Sequence, residues 1–151
     1  MDSQLACSEP DGLLEVLAEF RFELRRFLHF SECAAMSAGL HPQQHQLLLQ
    51  VAGAPAGTTV TIAYAAARLE LKHNSTVELV DRSEREGLLT RVTDSGDRRR
   101  AILRITRKGR QILSRLSSEH ARELTERGPR LTRALLQIGR HAKETVAAVS
   151  Q

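Results

Sequence analysis

The sequence is poor in aromatic residues and in cysteine. Of its 151 residues none is Trp, a single one is Tyr, and the aromatic share is 3%. Proteins that grip single-stranded nucleic acid by base stacking usually carry more ring surface, so that class is disfavoured. The two cysteines, Cys7 and Cys33, lack CxxC spacing and are too few for a disulfide scaffold. A reducing compartment is therefore the simplest prediction.

Long apolar runs and common catalytic motifs are also missing. The apolar stretches last a few residues, far below the roughly 20 that a membrane span needs. Residues 1–20 carry several acids and no basic segment before an apolar run, so we expect no secretory signal, no membrane association and a cytoplasmic location. No Gly-rich phosphate loop, G-x-S-x-G or H-E-x-x-H segment occurs, so neither an enzyme nor a cofactor is expected. His41 and His45 are four residues apart, but without a neighbouring third ligand we expect no metal site.

Helical periodicity dominates the first half of the chain. Apolar residues recur in a 4-3-4-3 spacing from Gly12 to about Ala35, which predicts one long helix. A second helix is predicted from Pro42 to Gly53, where a Gly- and Pro-containing segment ends it. A short helix follows at about 62–69, then a tight turn, then a helix over 74–86 that Gly87 terminates.

The pattern changes to a hairpin and then returns to helix. Leu88–Val92 and Ala101–Thr106 are predicted as two strands around a polar, turn-rich tip. Thr106 is a good N-cap for a helix over 107–127, and Gly128-Pro129 is predicted to separate it from a last helix.

This order of elements predicts a mainly α fold with a small β-hairpin wing. Two short helices joined by a tight turn form a helix-turn-helix, whose second helix can enter a DNA major groove, and the hairpin after it is a wing. The terminal helices have apolar stripes but no sheet to cover them, so we expect them to pack on each other and on a second copy of the chain. The residues that we expect there are Leu13, Leu17, Leu135, Ile138 and Val146. We therefore predict a single domain over 1–151, with dimerisation helices at about 12–38 and 107–150 and a DNA-binding lobe at about 40–106.

The charge pattern of the hairpin favours a nucleic-acid partner. From Arg98 to Arg110 there are seven basic residues and no acid, in a chain of net charge +4. Arginine at a flexible tip suits the negative potential of a minor groove. The alternative is that these basic residues form a solvated surface without a partner. Their position directly after a helix-turn-helix disfavours that interpretation. We expect DNA contacts from Arg98, Arg99 and Arg100.

The start of the 74–86 helix is the second candidate for DNA contact. Short polar and cationic side chains crowd it, where they can reach phosphates or base edges: Lys72, His73, Asn74, Ser75 and Thr76. Glu78 can accept a hydrogen bond from a cytosine amino group, or it can close a capping box with Ser75, and both interpretations stay open. Leu79 and Val80 are expected in the core.

The ordered motifs resemble the multiple antibiotic resistance regulator (MarR) family. The matching segments are Leu79–Arg82, Glu86–Leu89, Asp97–Arg99, Thr106–Gly109 and the upstream "GLHPQQHQLLL", and the similarity covers about residues 12–127. The resemblance implies a homodimeric repressor that binds a pseudo-palindromic operator in double-stranded DNA and leaves it when a small aromatic or acidic effector binds. The family's Asp-x-Arg wing motif falls on Asp97 and Arg99, the arginine entering the minor groove. Contacts from the recognition helix would fall within Lys72–Thr76 and on Glu78, and Arg82 joins these candidates.

Three residues depart from the family pattern. Glu70 stands where the turn often has glycine, Lys72 where a serine cap is usual, and Ser83 at a position that is commonly apolar. The fold prediction does not depend on these three residues. The base sequence that the protein recognises does, so it cannot be transferred from the family.

The effector site is predicted only from polarity and position. His29, Phe30 and His45, together with His120, are candidates for lining a ligand pocket, and Cys33 lies near the expected hinge between the dimerisation and DNA-binding parts. Cys33 is interpreted as a small buried residue with an inert thiol. The alternatives are a thiol-based redox repressor that uses Cys33, and a low-specificity architectural DNA-binding protein.

Overall fold

The computed structural model describes the backbone of residues 10–149 and the side chains of residues 12–143. Its elements are the helices α1 (Pro10–Ser37), α2 (Pro42–Ala52), α3 (Ile62–Leu69) and α4 (His73–Arg85), the strands β1 (Leu89–Thr93) and β2 (Ala101–Ile105), and the helix α5 (Arg107–Val149). The predicted mainly helical fold with one antiparallel hairpin is confirmed. Cys7 and the side chain of Val146 lie outside the described residues.

Side chains cap the short helices of the first half. The imidazole Nδ1 of His41 accepts a hydrogen bond from the backbone N–H of Gln43 at 3.2 Å, and the amide oxygen of Gln44 accepts one from the backbone N–H of His41 at 2.9 Å. The Thr61 hydroxyl accepts from the N–H of Tyr64 at 3.1 Å and starts α3. Such caps satisfy N–H groups that have no partner inside the helix. His41 is therefore explained as a helix cap.

Two left-handed residues end the helices of the helix-turn-helix. Glu70 closes α3 with φ 53° and ψ 39°, and Gly87 follows α4 with φ 70°. Glycine adopts this conformation at no steric cost, whereas a glutamate is strained in it. The turn keeps its shape without the glycine that MarR proteins often have there.

The hairpin is tied to the start of α3. Leu89 pairs with Ile105, Arg91 with Leu103 and Thr93 with Ala101 in the antiparallel register. The backbone N–H of Leu103 also donates to the carbonyl of Val60 at 2.8 Å, and Thr61 forms a β-bridge with Ile102. The wing is thus anchored through β2 to the residues that precede the helix-turn-helix.

One compact unit comprises residues 31–119, which we call the core unit. It therefore includes the end of α1 and the first turns of α5. Apolar side chains from all its helices and both strands form one buried cluster, including Leu47, Leu48, Leu79, Val80, Leu88, Leu103 and Leu116. Each large apolar side chain buried in this way contributes about 1.5–3 kcal/mol. The expectation that Leu79 and Val80 are core residues is confirmed.

The start of α5 is fixed by one hydroxyl and one glycine. The Thr106 hydroxyl accepts from the backbone N–H of Gly109 at 3.1 Å and lies within hydrogen-bond distance of the carbonyls of Gly87 and Leu88. A Cβ at Gly109 would lie 2.1 Å from the carbonyl oxygen of Leu88. Only glycine permits this approach between the first turn of α5 and the start of β1.

The second compact unit comprises residues 1–30 and 120–151, which we call the terminal-helix unit. Its described part consists of α1 and α5. The His120 ring makes edge contacts with Phe27 and Phe30, at centroid distances of 5.9 and 5.4 Å. Glu23 is fully buried, with its carboxylate 3.4 Å from Arg130 and 3.9 Å from Arg127. No helix in the described part of the chain is long and apolar enough to cross a membrane.

The predicted break at Gly128-Pro129 is wrong, because α5 runs unbroken from Arg107 to Val149. Pro129 has no N–H for the carbonyl of Thr125, so the helix loses one hydrogen bond there. Apolar side chains continue in helical phase on both sides of the proline, and Ala134 beyond it is buried. Arg127 and Arg130, on either side of the proline, both lie near the buried carboxylate of Glu23, so tertiary contacts hold the helix across the lost bond.

Candidate nucleic-acid interface

The start of α4 and the wing arginines line one groove of the core unit. The groove has a volume of about 420 Å³, and its walls are Thr61–Ala63 from the start of α3, His73 from the start of α4, and Arg99, Arg100 and Ala101 from the wing. Two stretches that are far apart in the sequence, and that were both predicted to contact DNA, therefore meet at one surface.

The side chains at the start of α4 are exposed and so are accessible to a binding partner. His73, Asn74 and Ser75 form the first turn of the helix and are exposed, and so are Lys72 before it and Glu78 and Arg82 beyond it. Lys72 occupies the N-cap position but no side chain caps the helix there. Backbone N–H groups at such a terminus attract anionic groups.

Two expectations about α4 need correction. Ser75 cannot cap the helix, because α4 begins at His73 and Ser75 is its third residue, so the capping-box interpretation of Ser75 and Glu78 is wrong. Thr76 was expected to contact DNA, but its side chain is fully buried and its hydroxyl donates to the carbonyl of Lys72 at 3.1 Å. Burial of this hydroxyl is tolerated because that bond satisfies it.

Two aspartates organise the wing tip. The carboxylate of Asp97 accepts a hydrogen bond from the backbone N–H of Arg99 at 2.9 Å. The backbone carbonyl of Asp97 accepts one from the backbone N–H of Arg100 at 2.9 Å. The carboxylate of Asp94 accepts from the N–H of Gly96 at 2.9 Å and lies 4.0 Å from the guanidinium of Arg100. Neither Arg98 nor Arg99 forms an ion pair within the described residues. The acids hold the backbone of the tip, while the arginines remain exposed.

A separate cavity of about 470 Å³ lies in the terminal-helix unit. It is lined by Phe22, Arg25, Arg26, His29, Phe30, Glu123 and Arg127. Of the predicted effector residues, His29 and Phe30 line this cavity, and His120 contacts Phe30. His45 and Cys33 belong to the core unit, where His45 is buried and Cys33 is exposed. The expectation that Cys33 is a buried residue is therefore wrong.

The charge of this cavity is mainly positive. Arg26 lies over the ring of Phe22 at 5.4 Å from its centroid. The hydrogen bond from Arg127 to Glu123 raises the pKa of that guanidinium above its ordinary value. Cationic groups beside aromatic walls suit a ligand that is both flat and anionic. Sequence reasoning missed the arginines, although Arg25, Arg26 and His29 follow Phe22 at helical spacings of three, four and seven.

Metal binding finds no support in the described side chains. No group of three or more His, Cys, Asp or Glu residues is placed to hold an ion between residues 12 and 143.

Comparison with known proteins identifies the class. A family model described as the MarR family matches residues 38–100, which span the helix-turn-helix and the wing up to its third arginine. A transcriptional regulatory protein for the hcr operon of Thauera aromatica is 29% identical over 146 residues, which cover 88% of this chain and 86% of that protein. Over residues 38–100 the chain is thus similar to the MarR family.

Solved structures agree with this MarR fold. A MepR mutant of S. aureus bound to an oligodeoxyribonucleotide matches 86% of this chain and 94% of its own, with TM-score 0.62 and 16% identity. CouR from Rhodococcus jostii RHA1 bound to p-coumaroyl-CoA matches 81% and 84%, with TM-score 0.62 and 21% identity. These likenesses show that the chain has the fold of MarR-family regulators.

Proposed function

We propose that the protein is a homodimeric repressor that binds a pseudo-palindromic operator and leaves it when a small aromatic anion binds. The observation that carries the proposal is the groove that joins His73 at the start of α4 to Arg99 and Arg100 of the wing. One surface can thereby address the major groove with a helix and the adjacent minor groove with arginine.

Individual roles follow from exposure and chemistry. Lys72, His73, Asn74, Ser75 and Glu78 face the major groove in this proposal, with Asn74 and Glu78 suited to base edges and Arg82 to the phosphate backbone. Arg99 enters the minor groove, flanked by Arg98 and Arg100, while Asp97 holds the backbone of the tip.

Exposed apolar side chains support the homodimer. In the single chain, large hydrophobic residues of α1 and α5 remain in water, including Leu14 at 63% exposure, Leu135 at 53% and Leu136 at 58%. Soluble monomers rarely leave so many large apolar side chains exposed on neighbouring helices. A second copy that covers them also creates the two-fold symmetry that a palindromic operator requires.

The cavity of the terminal-helix unit supports the effector part of the proposal. Phe22 and Phe30 offer flat apolar walls, and Arg25, Arg26 and Arg127 offer cations. The structural relative CouR is bound to an aromatic acyl-CoA. We therefore assign the cavity to an aromatic carboxylate or its coenzyme A thioester.

Selection of bound duplexes from a random DNA pool tests the operator. The purified protein should enrich a motif with two-fold symmetry, bound at least about 10³-fold more tightly than random duplex. Transcription in vitro from a promoter that carries this duplex should fall when the protein is added. Binding without enrichment would instead support a low-specificity architectural protein.

The effector is tested on the same duplex. Benzoate and benzoyl-CoA serve as probes, and release of the duplex with a rise in melting temperature is the expected result. Arg25→Met should weaken this response, whereas Arg122→Met, an exposed residue of α5 outside the cavity, should leave it unchanged. Equal responses in the two variants would contradict the assignment of the cavity.

The exposure of Cys33 keeps one second candidate, a redox-sensing repressor. Exposed thiols are open to oxidation, which buried ones resist. In that case peroxide, in the absence of any aromatic acid, would release the duplex from the wild type and not from Cys33→Ser.

A further inference from the structure

Arg91 on β1 makes three links to the last turns of α4. Its Nη1 donates to the carboxylate of Glu84 at 2.6 Å, and its Nη2 pairs with the carboxylate of Asp81. Its backbone N–H donates to the other oxygen of Glu84 at 3.0 Å. Asp81 and Glu84 are three residues apart and so lie on the same face of α4. One guanidinium therefore holds both carboxylates.

The local electrostatics favour persistence of this cluster. Burial works to lower the pKa of Arg91, but the hydrogen bonds and charges of Asp81 and Glu84 outweigh it and raise the pKa above its ordinary value. The guanidinium stays charged at every physiological pH. Charge-assisted and bidentate pairs of this kind are geometrically demanding, so they fix an orientation as well as a distance.

The two strands of the wing are attached to different helices. Through Leu103 and Ile102, β2 is bonded to the residues at the start of α3. Through Arg91, β1 is bonded to the outer face of α4. Without the Arg91 side chain the hairpin would keep its attachment near α3 and lose its ion pairs with α4.

We infer that Arg91 is a positioning residue for DNA recognition, which holds the wing arginines at a set place relative to the side chains at the start of α4. The inference rests on the proposed function, since it presumes that α4 and the wing address the same duplex. Arg91 itself does not contact phosphate, because Asp81 and Glu84 already occupy its guanidinium. Its contribution is to let the major-groove and minor-groove contacts form together.

The first test uses the free protein and needs no DNA. In Arg91→Met, the backbone amides of β1 and of the wing tip should exchange with deuterium several-fold faster than in the wild type, while amides of α2 are unchanged. Asp81→Asn should show a smaller increase, because it keeps the bond to Glu84. The matched control is Arg115→Met, which removes a charge whose ion pair among the described residues is with Glu119 of the same helix. Wing exchange that is equal in Arg91→Met and Arg115→Met would overturn the inference.

The second test is a double-mutant cycle on the selected operator duplex. In the wild-type background, Arg99→Ala should weaken binding on the order of tenfold. In the Arg91→Met background the same change should weaken it less than about threefold, because a wing that is not held no longer places Arg99. Arg91→Met alone should weaken binding on the order of tenfold, with the salt dependence of the wild type.

Each failure has a distinct meaning. A salt slope lower by about one in Arg91→Met would show that Arg91 contacts phosphate, which overturns the positioning role. An Arg99→Ala effect of the same size in both backgrounds would show that the wing is placed without Arg91. No effect of Arg99→Ala in the wild-type background would contradict the wing contact of the proposed function itself, and the role of Arg91 with it. If Arg91→Met does not fold, the cycle is run with Asp81→Asn, for which the same outcomes apply with smaller changes.

Discussion

The core unit and the terminal-helix unit differ in how much of their apolar surface they bury. Among the described residues, every buried apolar side chain except that of Ala134 lies in residues 31–119. The terminal-helix unit instead buries the carboxylate of Glu23 and leaves Leu14, Leu135 and Leu136 in water. The first pattern is that of a domain that is complete within one chain, and the second is that of a surface that needs a second copy.

The largest effect is expected from acidic substitutions in α5. They should abolish dimerisation through the terminal-helix unit and leave the core unit folded. Leu135→Asp combined with Ile138→Asp places four charges in the proposed dimer interface, and we expect dimerisation weaker by about 10³-fold or more. Sedimentation should report monomers or aggregates, while the core unit keeps its helical signal. Leu49→Asp, at an exposed leucine of the core unit, is the control and should leave the dimer intact. A wild-type protein that sediments as a folded monomer would refute the comparison.

Replacement of glycine by alanine at two positions of α5 should change the free energy of unfolding in opposite directions. Gly109→Ala forces a Cβ to 2.1 Å from the carbonyl of Leu88 and should destabilise the core unit by about 2–4 kcal/mol. Gly128→Ala meets no atom within 4 Å and should stabilise the helix by about 0.5–1 kcal/mol. Chemical denaturation of both variants measures the difference. Equal effects would mean that the first turn of α5 relaxes away from β1.

Within the core unit, residues that contact DNA bases should be distinguishable from residues that contact the DNA phosphates. Asn74→Ala should lower affinity by about 1–3 kcal/mol at one or two operator positions and leave other sequences unaffected. Gln43→Ala removes an exposed amide of α2 in the same unit and is the control. Competition with single-base operator variants makes the measurement. An equal loss on all duplexes would assign Asn74 to phosphate.

The smallest effect is expected at Cys33, on the part of α1 that belongs to the core unit. Cys33→Ser should bind the operator with unchanged affinity and still release it with the aromatic probe, because the cavity does not include this residue. Fluorescence anisotropy of the labelled duplex can follow both steps. Peroxide-dependent release that is lost in the variant would make the protein a thiol sensor.

Local signals in the sequence were enough to predict most of the fold. Pro42, Gly87 and Thr106 mark helix ends through backbone chemistry that acts within a few residues, and the structure uses all three in that way. The Gly128-Pro129 pair carries an equally strong local signal, but α5 continues through it, with Arg127 and Arg130 on either side in contact with Glu23 of α1. Short-range rules therefore failed where a long-range contact competes with them.

The candidate site was less predictable, because burial and pairing depend on the fold. Thr76 has the polarity of its neighbours, yet it faces the core, and only its helical spacing of three and four residues before Leu79 and Val80 distinguishes it from Ser75. The bonds of Arg91 to Asp81 and Glu84 connect a strand with a helix seven to ten residues away, so only the structure brings them together. Periodicity on α1 would have found Arg25 and Arg26, since they share a helix face with Phe22 and His29.

Because Glu70 is left-handed, the folded protein is less stable than the same fold with glycine at this position would be. A glutamate in that conformation carries a strain of roughly 1–2 kcal/mol that glycine would not. Such unused stability is common in natural proteins, because selection acts on function above a threshold and not on maximal stability. Glu70→Gly is thus a compensating substitution that can be built into the core unit before damaging variants are made, so that a loss of DNA binding is not confused with a loss of folding.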